Sequence, residues 1–245
     1  MKQYEAVRKT LEKLGGIATL GQLNQEVFKI KNCEWKTKTP FASIRSIVQL
    51  DKEIYKIKPG LYALKKFKSD LEGKGIFIET DKNKDSKEIV EFNHSYYQGI
   101  ILSMGNLKML FTYVPKQDKN KKFINTILDN ISTIKDIPDF SYPYFKKRCS
   151  TIDVIWFNQR EMPHSFFEVE YSTDIQNSLL KFNDLQDFNC RMIIVSDKKR
   201  KPEYESKLKY SSFNDIKARV DFLDYDSLNK QYENIIEQQK MEVIL

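Results

Sequence analysis

The sequence predicts a two-domain protein that combines α+β and α/β architecture. A small unit of helices and a hairpin comes first, and a larger unit with a mixed β-sheet flanked by helices follows. Two changes in hydrophobic pattern support this. The apolar period shifts from 3.6 to 2 near residue 50, and beyond residue 88 apolar runs of strand length follow one another before a helix and a further strand. We predict domains over residues 1–68 and 88–245, joined by a linker over 69–87.

The positive charge of the chain is concentrated in the first of these units. Residues 1–68 contain 15 lysines and arginines against 6 aspartates and glutamates, whereas the remaining 177 residues contain 26 against 28. A basic module attached to a slightly acidic remainder suggests that the module meets a polyanion. The alternative is a general lysine bias that improves solubility.

Three short helices are predicted before residue 50. Apolar residues from Tyr4 to Leu14 recur at helical spacing and stop at a pair of glycines, and a second helix is expected from about Leu20 to Lys31. A third helix begins at Thr39-Pro40, where threonine is the expected N-cap and proline occupies the first helical position.

The segment after the third helix alternates apolar and polar residues on both sides of Pro59-Gly60, which predicts a β-hairpin over residues 54–64. Three helices followed by a hairpin are typical of a winged helix-turn-helix, whose third helix enters the major groove of double-stranded DNA while the wing contacts the backbone. The expected DNA-contacting side chains are polar or cationic. They are Lys36, Lys38, Ser43, Arg45, Ser46, Gln49, Lys56 and Lys58.

Two sequence stretches of this unit also resemble the HARE-type helix-turn-helix domain. They are Trp35-Lys-Thr-Lys-Thr-Pro-Phe-Ala-Ser-Ile-Arg45 and Ile54-Tyr-Lys-Ile-Lys-Pro-Gly-Leu-Tyr-Ala-Leu64. The resemblance covers roughly residues 1–66 and implies a DNA-binding winged helix. Winged helices also serve as protein-binding modules, and that alternative stays open.

The second domain is predicted to begin with a helix from Glu88 to about Met104, followed by a strand over 109–114 and a helix near 123–134. Strands over 150–157 and 166–171 come next, and then a helix capped by Ser172 or Thr173. The pattern ends with a strand over 191–195, a helix over 202–217, a strand over 219–223 and an amphipathic helix.

Three carboxylates in this domain form the candidate catalytic centre. Glu168 and Glu170 occupy alternate positions of Ser165-Phe-Phe-Glu-Val-Glu-Tyr171, so both would point to one face of a strand, and Asp153 lies in the apolar run Thr151-Ile-Asp-Val-Ile-Trp-Phe157. Converging carboxylates repel one another unless they hold a cation, and oxygen ligands suit Mg²⁺ or Mn²⁺. The alternative for Glu168 and Glu170 is an exposed edge strand whose acidic residues prevent aggregation.

This strand order, with aspartate on the second strand and Glu-x-Glu on the third, resembles the PD-(D/E)XK nuclease superfamily and in particular Type II restriction endonucleases. The resemblance covers about residues 88–225. It implies that Asp153 and Glu168 bind Mg²⁺, for which Mn²⁺ is expected to substitute. The last motif position is usually lysine, and Glu170 stands there; the proline before the aspartate is replaced by Ile152. The resemblance implies that Glu170 orients or deprotonates the attacking water.

Other polar residues carry weaker functional interpretations. In the resembling superfamily an acidic residue of the first helix often reaches the metal cluster, and Glu91 is the matching candidate metal ligand. His94 shares a helix face with Gln98 and is a candidate catalytic residue that contacts the scissile phosphate or shuttles a proton. Asp118 is expected to be a loop charge. Gln176 and Lys181 are expected either to meet DNA or to be plain surface residues.

Several functional classes are excluded or disfavoured by composition. The chain has no Gly-x-x-x-x-Gly-Lys-(Ser/Thr) loop, so it lacks a phosphate-binding loop for ATP hydrolysis. Its two histidines disfavour a His-rich metal site or a Ser-His-Asp triad. Its three cysteines are scattered, which disfavours a disulfide framework or a structural zinc site. Without a long apolar stretch or a signal peptide, the chain is expected to be soluble and cytoplasmic, with no membrane partner.

The sequence therefore predicts a Mg²⁺-dependent endonuclease of the Type II restriction kind that hydrolyses phosphodiester bonds of double-stranded DNA. A homodimer is expected because both strands must be cut, with the apolar face of the last helix as a candidate interface. Dependence on base modification is an open alternative. So is a DNA-binding transcription regulator whose nuclease-like domain is inactive.

Overall fold

The computed structural model describes residues 1–172 and 174–242. The chain forms two compact units, one of residues 1–92 together with the segment from Asn229 onward, and one of residues 93–228. The predicted domains over 1–68 and 88–245 stay a prediction about which parts fold independently. Within the described ranges, no helix has both the length and the apolar character that are needed to cross a membrane.

The first unit combines helices with a small antiparallel sheet. In chain order its elements are α1 (Gln3–Lys13), β1 (Ile17–Thr19), α2 (Leu20–Glu26), a 3-10 turn (Val27–Lys29), α3 (Pro40–Leu50), β2 (Ile54–Lys58), β3 (Leu61–Leu64), a second 3-10 turn (Lys65–Phe67) and α4 (Lys68–Gly73).

Local residue chemistry explains where these elements begin and end. The Thr19 hydroxyl accepts a hydrogen bond from the backbone N–H of Gln22, while the Gln22 side chain accepts one from the Thr19 N–H, which forms a capping box for α2. Pro40 is the first residue of α3, as predicted, but the Thr39 side chain makes no capping hydrogen bond. Gly60 has φ of 74° in the turn of the hairpin, a conformation that favours glycine.

The three-stranded sheet has the order β1-β3-β2, with both pairs antiparallel. The hairpin of β2 and β3 confirms the prediction, whereas β1 is an addition that its three residues were too short to reveal. The predicted second helix is shorter than expected because it tightens into a 3-10 turn after Glu26. Part of the predicted linker is the helix α4, whose Leu71 is buried.

The last helix, α10 (Tyr225–Glu242), supplies apolar residues to this first unit. Tyr232 and Ile236 are buried, and a side-chain carbon added at Gly21 would lie only 2.6 Å from each of them. The expectation that the apolar face of the last helix forms a dimer interface is therefore wrong, because this face is already covered within the chain.

The second unit contains the remaining elements. They are α5 (Lys87–Leu107, shared with the first unit), β4 (Phe111–Tyr113), β5 (Lys122–Phe123), β6 (Thr126–Ile127), α6 (Leu128–Ile131), α7 (Pro143–Cys149), β7 (Val154–Phe157), β8 (Pro163–Glu170), α8 (Ile175–Asn183), β9 (Arg191–Ser196), α9 (Lys201–Leu208) and β10 (Val220–Asp224), with 3-10 turns at Lys198–Arg200 and Ser211–Phe213.

A mixed five-stranded sheet organises this unit in the order β10-β9-β8-β7-β4. The strands β8, β9 and β10 run parallel, whereas β7 is antiparallel to both β8 and β4. The central strand β8 is therefore paired on both sides, and Phe166 and Phe167 on its opposite faces are both buried. The alternative of an exposed edge strand is wrong, and a mixed sheet flanked by helices is what the pattern predicted.

Several predicted elements differ from the structure. The helix expected near residues 123–134 is replaced by the small hairpin of β5 and β6 and the one-turn helix α6, because Ile124 has φ of 57° and interrupts helical backbone. The cap of α8 is Asp174, whose side chain accepts a hydrogen bond from the Gln176 N–H, rather than Ser172; Thr173 lies outside the described residues. The helix expected over 202–217 ends at Leu208.

Candidate active site

Asp153 and Glu168 are brought together by the antiparallel pairing of β7 with β8. Val154 is opposite Phe167 in this ladder, so Asp153, one residue before β7, comes opposite Glu168. The backbone N–H of Asp153 lies 3.4 Å from Glu168 Oε1, and Asp153 Oδ2 accepts a hydrogen bond of 2.8 Å from the Val169 N–H. Two carboxylates that are fifteen positions apart in sequence thus share one location at the centre of the sheet.

The surroundings of Glu168 are unfavourable for an isolated negative charge. The residue is only 2% exposed. Burial, followed by the negative charge of Asp153, raises the pKa of Glu168 to about 8, although the Lys181 ammonium opposes the shift. An anionic Glu168 is therefore stabilised by any cation that lies next to its carboxylate.

Lys181 of α8 supplies a positive charge to this site. Its Nζ lies 2.8 Å from Glu168 Oε2 and donates a second hydrogen bond of 2.9 Å to the Thr151 carbonyl oxygen. Burial alone would lower the pKa of Lys181, but the charge of Glu168 and the hydrogen bond to it outweigh burial and raise the pKa. The sequence interpretation treated this lysine as a DNA contact or a surface residue. In the sequence, only the absence of a lysine at position 170 could have suggested that a lysine from another element, such as Lys181, reaches the site.

Glu170 lies on the same face of β8 as Glu168, as the alternation predicted, and the two residues share a partner. The Ser178 hydroxyl of α8 is 3.0 Å from Glu168 Oε2 and also contacts Glu170 Oε1. The hydroxyl has one proton, so it can donate to only one of the two carboxylates at a time. Glu170 Oε2 further lies 4.0 Å from Arg200 Nη1.

A second polar cluster adjoins Asp153 from α5 and the loop after β4. His94 Nε2 lies 3.5 Å from Asp153 Oδ1 and 3.8 Å from Asp118 Oδ2. Gln98, one turn later, donates hydrogen bonds to Asp118 Oδ2 at 2.7 Å and to the Asp153 carbonyl oxygen at 3.2 Å. His94 and Gln98 thus share the helix face that the four-residue spacing predicted, and both meet the aspartates.

The charges of this cluster stabilise one another. Burial opposes protonation of His94, but the charge of Asp153 and hydrogen bonds to Asp118 and Asp153 outweigh it and raise the pKa of His94 to about 10. Burial would raise the pKa of Asp118, yet His94, Lys121 and Gln98 together hold it well below its usual range. The expectation that Asp118 is a simple loop charge is wrong, because it is only 3% exposed and ion-paired.

Among the described residues, three side chains offer metal-ligand atoms that all lie within 4.8 Å of one another. They are His94, Asp118 and Asp153. Glu91, the metal ligand expected on the first helix of the domain, is exposed and its carboxylate lies 3.8 Å from Lys87 Nζ. Asp118, rather than Glu91, is therefore the acidic residue that joins Glu168 beside Asp153. It follows a strand rather than occupying a helix, so helical spacing could not point to it.

Most of the predicted DNA-contacting side chains of the first unit lie at its surface. Ser43 and Arg45 of α3 are half-buried and Lys58 is buried, whereas the other five residues of this group are exposed. These exposed residues are Lys36, Lys38, Ser46, Gln49 and Lys56.

Arg45 and Lys58 have different environments from the one expected. Arg45 Nη2 lies 3.2 Å from Glu233 Oε2 and 3.2 Å from Glu237 Oε1, both on α10. Lys58 is only 7% exposed, and its Nζ lies 4.8 Å from the centre of the Phe92 ring. The expectation that Lys58 lies on an exposed wing is wrong, because its strand position faces the interior of the unit.

Comparison of the chain with known proteins identifies one family. Residues 77–245 match the family described as the Type II restriction enzyme NmeDI C-terminal domain. No curated protein and no solved structure matches the chain. The family match covers more than half of the 245 residues and includes every residue of the candidate active site. The chain therefore belongs to the family of the C-terminal domain of the Type II restriction enzyme NmeDI.

Proposed function

We propose that the protein is a restriction endonuclease that hydrolyses phosphodiester bonds of double-stranded DNA with Mg²⁺. The observation that carries this proposal is the buried juxtaposition of Asp153 and Glu168 on neighbouring strands, with the Lys181 ammonium bound to Glu168. Membership of a restriction enzyme family supports it. The order of α5, β4, β7, β8, α8 and β9 supports assignment of the second unit to the PD-(D/E)XK nucleases.

The residues present fit a divalent cation such as Mg²⁺, with Mn²⁺ as a substitute. Asp153, Glu168 and Asp118 offer carboxylate oxygens, which are the hard ligands that Mg²⁺ prefers. Glu168 adjoins Asp153 across the strand pair, and Asp118 joins Asp153 in the cluster with His94. Burial and the proximity of Asp153 raise the pKa of Glu168 to about 8, so a bound cation would relieve an unfavourable accumulation of negative charge. Bound there, Mg²⁺ would stabilise the charge that builds up on the phosphate and lower the pKa of a water molecule.

The side chains around the carboxylates have their own tasks in this proposal. Lys181 uses two of its three N–H groups on Glu168 and Thr151, which holds the Glu168 carboxylate in place and leaves one N–H for the phosphate or the attacking water. His94 is positioned beside Asp153 to hold a proton or to contact the scissile phosphate. Glu170, whose carboxylate contacts the Ser178 hydroxyl, would orient the attacking water.

DNA binding by the first unit is part of the proposal. The order α1, β1, α2, α3, β2 and β3 supports assignment of this unit to the winged helices, and so does the excess positive charge of residues 1–68. Exposed side chains on and before α3 would contact base edges and phosphates. The homodimer also remains a proposal, since two active sites would cut the two strands; light scattering of the purified protein would measure it.

The first experiment is incubation of the purified protein with DNA and Mg²⁺. We expect fragments from the unaltered chain and none after addition of EDTA. Asp153→Asn and Glu168→Gln should bind DNA without cutting it. The exposed acids Asp187 and Glu205 provide matched controls, because Asp187→Asn and Glu205→Gln remove the same charge elsewhere in the second unit. DNA that stays intact across many modified and unmodified substrates would contradict the proposal.

The same assay separates the alternatives. Cleavage of methylated DNA alone would identify a modification-dependent enzyme. Binding without cleavage, together with no Mg²⁺ binding in calorimetry, would identify a DNA-binding regulator instead. The missing lysine at position 170 is the main argument for that regulator, and Lys181 weakens it because a lysine ammonium reaches Glu168 from α8.

A further inference from the structure

An exposed aromatic and basic surface lies on α7, in a segment to which neither the proposed hydrolysis nor the DNA-binding unit assigns a role. Tyr142 is 70% exposed and Tyr144 is 64% exposed. Their rings are nearly parallel, with centroids 6.1 Å apart and an angle of 8° between the planes. Such exposure leaves large ring faces available for stacking with a flat ligand.

The rest of the segment explains why these rings point outward. Phe145 packs edge-on against Phe188, with ring centroids 5.1 Å apart, and is partly buried against the core of the second unit. Phe145 therefore anchors the helix, while the two tyrosines remain at the surface.

Three consecutive cations follow the aromatic residues. Lys146 is paired with Asp139, and Arg148 Nη2 lies 2.6 Å from Asp184 Oδ2. The side chain of Lys147 is exposed and forms no ion pair within the described part of the chain. Flat rings beside an available ammonium are the combination that binds single nucleotides of a DNA strand, since bases stack on aromatic faces and phosphates attract cations.

Two clefts on this surface share Lys147 and Thr151. One of about 510 Å³ is also lined by Tyr144, Arg148 and Asp184, and the other, of about 430 Å³, extends along Lys116 and Ser150. These volumes are within the range of roughly 300–1,000 Å³ that is typical of small-ligand sites, so either cleft has room for a nucleotide.

Thr151 connects this surface with the candidate active site. Its carbonyl oxygen accepts the hydrogen bond from Lys181, which also binds Glu168, and it precedes Asp153 by two residues. A DNA strand with its scissile phosphate at Asp153 and Glu168 would thus have a neighbouring nucleotide within reach of α7.

We propose that Tyr144 and Lys147 hold a nucleotide that flanks the scissile phosphate, with Tyr144 stacking on the base and Lys147 pairing with the phosphate. This inference rests on the proposed endonuclease function. Tyr142 extends the stacking surface. Because stacking on a ring face requires a base that is accessible from the side, the surface would hold an unpaired or displaced base more strongly than a paired one.

The test is DNA binding by the full chain, without a divalent cation, to short random-sequence duplexes and single strands. Tyr144→Ala should weaken binding of the single strand about tenfold, and Tyr144→Phe, which keeps the ring, should restore it. Lys147→Ala should reduce the slope of log Kd against log salt concentration by the amount expected for the loss of about one phosphate contact. A 2-aminopurine base in the single strand should lose fluorescence quenching with Tyr144→Ala.

Tyr210 and Lys209 offer matched controls, because they are an exposed tyrosine and an exposed lysine of the same unit. Loss of affinity with Tyr144→Ala and Lys147→Ala but not with Tyr210→Ala and Lys209→Ala supports the inference. Equal affinities for all variants, or equal losses for the α7 variants and the controls, overturn it. If the unaltered chain cleaves DNA while the α7 variants bind DNA normally, only this inference fails. If DNA stays intact with the unaltered chain, the proposed endonuclease function fails as well.

Discussion

Lys181 Nζ on α8 lies 2.8 Å from Glu168 Oε2 on β8, so a helix brings an ammonium to the carboxylate at the centre of the sheet. A lysine at position 170 would occupy the same strand as Glu168. In this chain the cation comes instead from the helix that follows the strand, and Glu170 contacts Ser178 and Arg200.

We expect Lys181→Met to reduce DNA cleavage by roughly 100-fold or more, because it removes one charged donor from the reacting centre. DNA affinity should change little, since the substitution leaves intact the exposed residues that are proposed to contact DNA. Lys181→Arg should recover part of the activity. Lys207→Met is a suitable control, because Lys207 is a partly buried lysine that donates to Gln176. Full activity of Lys181→Met would show that the ammonium serves only the packing of α8.

Metal binding is expected to depend on Asp153 and Glu168. In calorimetric titrations with Mn²⁺, the unaltered protein should release heat, whereas Asp153→Asn and Glu168→Gln should bind at least tenfold more weakly, because each loses an anionic oxygen ligand. Asp187→Asn should titrate like the unaltered protein. Unchanged Mn²⁺ binding in Asp153→Asn would remove Asp153 from the ligand set.

Glu168 and Glu170 are expected to differ in importance despite their shared face. Glu168 adjoins Asp153 and is bound by Lys181, whereas Glu170 contacts Ser178 and Arg200. Because only Glu168 adjoins both Asp153 and Lys181, Glu170→Gln should retain at least about ten times more cleavage activity than Glu168→Gln. Comparable losses of activity in single-turnover assays would instead identify Glu170 as a second essential base or ligand.

The ion pairs of Arg45 are expected to weaken DNA binding by the first unit. Glu233 and Glu237 each lie 3.2 Å from Arg45 Nη2 and would compete with phosphate for this guanidinium. Replacing both glutamates by glutamine should strengthen DNA binding about two- to fivefold at low salt, which is the range expected for partly exposed ion pairs. The pair Glu53→Gln and Glu72→Gln changes the net charge equally at exposed positions of the same unit. An equal gain in that control would mean that only net charge matters.

Lys58 should make the stability of the protein depend on pH. Burial lowers the pKa of Lys58 to about 7, although the charge of Glu79 opposes the shift. A lysine in the unfolded chain titrates near ~10.4. Between these pH values the unfolded chain binds more protons than the folded chain, so this residue makes the free energy of unfolding rise as pH increases.

Lys58→Met should therefore raise the Tm by several degrees at pH 7, because it removes the cost of burying a charge. The difference from the unaltered protein should shrink towards pH 10. Lys56→Met changes an exposed lysine of the same strand and should leave the pH profile unaltered. A lower Tm for Lys58→Met at pH 7 would show that the contact with Phe92 outweighs the burial cost. Differential scanning calorimetry across this pH range provides the measurement.

Much of the second unit could be predicted from local pattern. The strands β7, β8 and β9 are apolar runs of strand length, and alternation along β8 places Glu168 and Glu170 on one face. Asp153 could be expected near Glu168 because both acids lie in apolar runs of strand length, and neighbouring strands of one sheet would bring them together. In the first unit, Pro40 and Gly60 marked the start of α3 and the turn of the hairpin for conformational reasons that hold in any context.

Other features depend on residues that lie far apart in sequence. Asp118 was expected in a solvated loop, yet it is buried and bound by Gln98 and Lys121. The helix expected near residues 123–134 was wrong because Ile124 adopts a positive φ in a tight hairpin. Side chains on one element carry no signal of the partner that will cover or pair with them, so periodicity could not anticipate these environments.

The sequence by itself determined the secondary structure around the acidic residues, the alternation of β8 and the concentration of positive charge in the first 68 residues, because these depend on local side-chain chemistry. Only the tertiary structure decided that Lys181 reaches Glu168, that His94 and Asp118 adjoin Asp153, and that Glu233 and Glu237 hold Arg45. The physical reason is that a buried charge needs a specific partner, and that partner is selected by the packing of whole helices and strands.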